Sequence, residues 1–153
     1  MQGTAGTSHT LVGNEWAAYG INTSGAYWYA DTRDPFDTMG ISNSSSAAPG
    51  IVSFLDVVNT VIVDWVSIFS NDIYIDAYNS SNVLLDSFFF TGSSTSSGTT
   101  TLSGSGIASL SFHDSGGTVS ISTLTFTNVP ESSSIYLLAF GLLGLFGVAR
   151  RKV

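Results

Sequence analysis

Between Ile51 and Phe126 the apolar residues come in short runs with a period of two, separated by clusters of Ser, Thr, Gly and Asn. Such alternation places successive side chains on opposite faces of a strand. The β-branched and aromatic content of these runs points the same way. The pattern predicts strands over Glu15–Ile21, Ala26–Ala30, Ile51–Leu55, Val61–Phe69, Ile73–Tyr78, Val83–Phe90, Thr99–Leu102, Ile107–Phe112 and Val119–Phe126. No stretch ahead of Pro130 repeats with a helical period. In Val61–Phe69 the residues Val61, Val63, Trp65 and Phe69 share the face expected in the core. The apolar phase shifts from Val119 and Ile121 to Leu124 and Phe126, which predicts one extra residue, a β-bulge, at Ser122 or Thr123. Asn79–Asn82 fits a hairpin turn, and Ser42–Gly50 and Thr91–Gly98 read as polar loops. Short strands without helices make the expected fold all-β, an antiparallel β-sandwich of jelly-roll type over residues 1–128.

The alternation breaks down at the end of the chain. Val129-Pro130-Glu131-Ser132-Ser133-Ser134 is followed by the apolar run Ile135–Ala149 and then by Arg150-Arg151-Lys152-Val153. As a helix that run would extend roughly 20 Å, enough for one short C-terminal transmembrane helix over residues 135–149 if the flanking serines enter the interface. Cations directly after an apolar segment stay on the cytoplasmic side. Residues ahead of Pro130 are then expected outside the inner membrane.

This tail resembles the PEP-CTERM sorting signal of bacterial surface and exopolysaccharide-associated proteins. Val129, Pro130 and Glu131 match the start of the motif, and Ser132 stands where a second proline is usual. Leu137–Gly147 has the Gly/Leu texture of the span, and Arg150, Arg151 and Lys152 match the basic end. The resemblance implies a sorting tail over 129–153, processing by an exosortase partner, transient residence in the inner membrane, and a final place at the cell surface or in the matrix. Met1–His9 carries neither a basic nor an apolar signal-peptide region. An export signal is therefore expected upstream of Met1.

A second, looser resemblance lies ahead of the tail. Asp31…Asp34-Pro35-Phe36-Asp37…Gly40-Ile41, then Ile73–Tyr78, Gly106–Phe112 and Val119–Phe126 follow one another as in carbohydrate-binding-module-like jelly rolls that carry such tails. Those domains commonly end Ile-Asp-Asn-Leu-Thr-Phe; here Ser122 and Thr123 replace the Asp-Asn pair.

Charge narrows the partners. Of 11 acidic and 4 basic residues, all but Glu131 and the three terminal cations precede Val129, leaving ten acids against Arg33 and a net charge of −9. Such a surface repels nucleic acid and anionic headgroups. There is no cysteine, hence no disulfide and no thiolate metal site.

Candidate chemistry is sparse. Asp31, Asp34 and Asp37 recur at every third position, where a loop could gather them around a structural calcium ion; a solvated Asp/Pro turn in which Arg33 pairs with a neighbouring Asp is the plainer account. Tyr74, Asp76 and Tyr78 alternate with Ile73, Ile75 and Ala77. With the isoleucines inward, aromatic rings beside a carboxylate face outward, the combination a sugar needs for stacking and hydrogen bonding. Trp16, Tyr19, Tyr27, Trp28 and Tyr29 add aromatic material that a core would also use. His9 lies in a polar end, and His113 reads as a turn residue after a strand. No catalytic residue is identified, since there is no Gly-x-Ser-x-Gly elbow and Gly104-Ser105-Gly106 reads as a turn between strands. Thr123, Thr125 and Thr127 alternate as an ice-facing strand would, although one such run is more simply a β-strand. The expected function is that of a non-enzymatic exported surface or matrix protein associated with exopolysaccharide in a biofilm. The alternatives are a truncated glycosidase or lyase and an ice-binding surface protein.

Overall fold

The computed structural model describes residues 11–31, 38–43, 49–67, 72–92, 96–115 and 119–128. Among them are the strands β1 (Leu11–Val12), β2 (Ile21–Ser24), β3 (Ala26–Asp31), β4 (Thr38–Asn43), β5 (Gly50–Ser67), β6 (Ile73–Asn79), β7 (Leu84–Phe90), β8 (Ser96–Asp114) and β9 (Val119–Asn128). The described residues are all-β, and their strands pair antiparallel in the order β1-β3-β4-β9-β5-β8-β6-β7, with β2 also on β5. Among the described residues no helix is long and apolar enough to cross a membrane. The tail, Val129–Val153, lies outside the described residues, and so do the expected span 135–149 and Phe69.

Two long strands organise the rest. Ile51–Leu55 and Val61–Phe69 were expected as separate strands, but β5 runs unbroken for 18 residues. Likewise Thr99–Leu102 and Ile107–Phe112 merge in β8, 19 residues long, and Gly104-Ser105-Gly106 is a bend within it. The β5–β8 register shifts between Ser53 and Val58 and again between Val58 and Thr60. Gly106, at φ +79°, takes the left-handed backbone that the bend requires. The Asn59 side-chain oxygen accepts the Gly106 N–H at 3.0 Å, satisfying a donor at the irregularity. An extra residue flips the face of everything beyond it. Accordingly β5 buries even positions (Gly50, Val52, Phe54) before the bulge and Val61, Val63 and Trp65 after it.

The bulges let one pair of strands serve two halves of the sheet. The first half of β5 lies between β2 and the end of β8, with β6 and β7 beyond. Its second half lies between β9 and the start of β8, with β4 and β3 beyond β9. Both halves turn their apolar faces into one core cluster. Trp65 of the second half meets Phe88 and Phe90 of β7, in the first, at ring-centroid distances of 5.6 and 5.1 Å. The sheet is thus doubled over its own core.

Other expectations fare differently. Val61, Val63 and Trp65 are buried together, and Ser122 is the extra residue of β9, skipped between the pairs Asp64–Thr123 and Trp65–Ile121. The Asn79–Asn82 turn closes the β6–β7 hairpin. The Asn79 carboxamide accepts the Ser81 and Val83 N–H groups at 2.9 and 3.0 Å, and Asn82 takes φ +58°. Glu15–Ile21 is not a strand. A short 3-10 turn at Ala17–Tyr19, closed by Tyr19 N–H to the Trp16 carbonyl at 2.8 Å, drops the Trp16 ring into the core, and β2 starts only at Ile21. The two polar loops are shorter than expected. Ser42 and Asn43 belong to β4 and Ser96–Gly98 to β8, because pairing with Ser120 and with Trp65–Ser67 satisfies their backbone groups whatever their side chains.

Candidate functional site

Strand β6 sorts its residues by face as the alternation predicts. Ile73, Ile75 and Ala77 are fully buried, while Tyr74, Asp76 and Tyr78 lie half-buried on the outer face. Cross-strand register decides what surrounds them. Tyr74 is opposite Phe89 of β7 and His113 of β8, and Asp76 is opposite Ser87 and Ser111.

The resulting row of rings is packed in a particular way. His113 stacks on Tyr74 with centroids 4.9 Å apart and planes 10° apart. Phe89 leans on Tyr74 at 5.1 Å and 45°. Tyr74 is therefore flanked on both sides and does not offer an open ring face. The ring with free surface is Phe89, 53% exposed on the outermost strand of the sheet. Phe88 and Phe90, its neighbours, point inward against Trp65. Local alternation does not lead to Phe89: the β6–β7 register shifts between the pairs Tyr78–Leu84 and Ala77–Asp86, and that extra residue, Leu85, is what brings Phe89 opposite Tyr74.

His113 belongs to β8, contrary to the turn expected for it. Strand β8 runs two residues past Phe112 because β6 pairs with it up to Ile73–Asp114. The Nδ1 atom of His113 is buried and makes no hydrogen bond to the described residues.

Asp76 supplies the polar part of the face. It accepts a hydrogen bond from the Ser87 hydroxyl at 2.6 Å and another from the Tyr78 hydroxyl at 3.3 Å. Burial, the nearby Asp76 charge and the hydrogen bond donated to it all raise the Tyr78 pKa above 10.0. Tyr78 therefore remains a donor at neutral pH, and the carboxylate stays fixed between two hydroxyls. A carboxylate has about four lone-pair sites, so Asp76 can still accept ligand hydroxyls.

Asp31 ends β3, opposite Thr38, while Asp34, Asp37, His9, Val129, Pro130, Glu131, Ser132, Arg150, Arg151 and Lys152 lie outside the described residues. Among the described residues no group of three His, Asp or Glu side chains could hold a metal ion. Trp16 is core, and Tyr19 is 67% exposed.

No family profile matches the chain, and no curated protein matches it. Among solved structures it is similar to a family 6 carbohydrate-binding module, at 14% identity over 71% of this chain and 86% of that one, TM-score 0.41. It is similar also to CsCBM6-3 from Clostridium stercorarium in complex with cellobiose, at 12% identity over 84% of this chain and 100% of that one, TM-score 0.42. An arabinose-bound α-L-arabinofuranosidase matches at 13% identity over 81% of this chain and 27% of that one, TM-score 0.43. At these values the likenesses carry no argument about ligand or activity.

Proposed function

We propose that the chain is a non-enzymatic, exported surface or matrix protein whose β-sandwich, of jelly-roll type, binds neutral polysaccharide on the outer face of β6, β7 and β8. The observation that carries this reading is the Phe89–Tyr74–His113 row beside Asp76. Phe89 supplies apolar surface for sugar C–H groups, held upright by Tyr74. Asp76 accepts hydroxyl hydrogen bonds from a fixed position. The −9 charge ahead of Val129 disfavours acidic polymers. One exposed ring contributes about 1 kcal/mol, so single sugars bind weakly and a polymer gains through repeated contacts. Affinity electrophoresis in gels of neutral glucans and galactans tests this. Retardation of the wild type, reduced by Tyr74→Ala, is expected; migration equal to that in a blank gel would end the reading.

The tail completes the proposal. Val129, Pro130, Glu131 and Ser132 mark the exosortase processing region, 135–149 spans the inner membrane, and Arg150, Arg151 and Lys152 stay inside. A structural calcium ion held by Asp31, Asp34 and Asp37 belongs to the same reading. Mass spectrometry of the mature protein from an exosortase-bearing host should find residues 135–153 removed. Their full retention would leave a plain membrane anchor.

A further inference from the structure

On the other half of the doubled sheet, the outer face is a grid of mostly β-branched side chains, seven of nine being Thr or Ile. Asp64 of β5 is opposite Thr99 of β8 and Thr123 of β9; Ile62 is opposite Thr101 and Thr125; Thr60 is opposite Ser103, and Thr127 follows Thr125 in the same phase. The threonine run of β9 therefore has matching rows on two neighbouring strands. No register shift falls within Val61–Asp64 on either side. Thr60, Ile62, Thr99, Thr101, Ser103, Thr125 and Thr127 are exposed. From this register we infer that the outer face of β8, β5 and β9 is an ice-binding surface.

Three features favour ice over a flexible partner. Neighbouring strands lie ~4.8 Å apart and alternate residues ~6.8 Å apart along a strand, spacings close to the oxygen repeats on hexagonal ice faces. Threonine and isoleucine are stiff at χ1, so hydroxyls and methyls hold their places with little entropy left to lose on binding. Asp64, the one ionisable group among the nine positions, has its carboxylate engaged by the Thr99 hydroxyl at 2.6 Å. None of the nine is aromatic, so sugar stacking has no platform here. Methyl groups between strands order water into a cage, and the hydroxyls bond that cage to the protein.

The test is ice-grain growth in frozen sucrose with the full 153-residue chain. Wild type should slow the growth. Thr101→Tyr, which puts a ring across the central row, should lose the effect at an unchanged melting temperature. Ser80→Ala, in the β6–β7 turn, should keep it. Should Thr101→Tyr not fold, Thr125→Ser keeps the hydroxyl and removes one methyl, and should weaken inhibition. Grain growth as fast with wild type as in buffer would overturn the inference. So would full inhibition by both grid variants, or retention on neutral glucan gels that Thr101→Tyr abolishes.

Discussion

Replacing Phe112 by alanine is expected to lower folding stability by about 3–5 kcal/mol. Phe112 is fully buried and sits where the two long strands cross-pair, opposite both Gly50 of β5 and Ile75 of β6. Its ring fills the space that Gly50 leaves, so truncation opens a cavity that the paired backbones on both sides cannot close. Denaturant titration should show a lower midpoint with an unchanged slope. A loss below about 1 kcal/mol, the range of an ordinary point change, would mean that the ring is not packed as described.

Gly50→Ala should be costly from the opposite direction. A Cβ at Gly50 would run into Phe112 Cζ and lie 2.8 Å from each Cε. Phe112 is fully buried, so ring or strand must shift within the core, at a cost of about 1–3 kcal/mol for overpacking. The two sites are coupled through that contact. In a Phe112→Leu background the alanine should cost less, with an interaction energy of about 0.5–3 kcal/mol in the double-mutant cycle. Strict additivity would contradict the close approach of ring and strand.

Much of this arrangement is written in local alternation. The inward set Ile73, Ile75, Ala77 and the set Val61, Val63, Trp65 follow from period two alone, and the phase change between Ile121 and Leu124 narrows the bulge to Ser122 or Thr123, of which the register with β5 selects Ser122. What local reading misses are continuities. Gly104-Ser105-Gly106 has the composition of a turn, but a left-handed glycine also serves a bend inside a paired strand, and only the partner strand tells the two apart. That misreading splits β8 in the sequence. It does not by itself misplace His113, which becomes a strand residue because β6 extends the pairing past Phe112. Trp16 looks like a strand residue because aromatic content signals strands, yet its burial comes from a 3-10 turn. The outward Tyr74 face is legible one strand at a time; the flanking of Tyr74 by Phe89 and His113 depends on register across three strands. The same holds for the threonine grid, of which a single strand shows one column.

The central claim is that the outer face of β6, β7 and β8 grips a polysaccharide, and adjacent phenylalanines on opposite faces test it most directly. Phe89 is exposed beside Tyr74, and Phe88 packs on Trp65. Affinity electrophoresis in neutral glucan and galactan gels, run beside thermal melts, should separate them. Phe89→Ala should lose most of the retardation and keep its melting temperature, whereas Phe88→Ala should melt several degrees lower, by about 1 kcal/mol or more, and keep its retardation while folded. Retardation unchanged in Phe89→Ala, or absent from the wild type, would contradict the account.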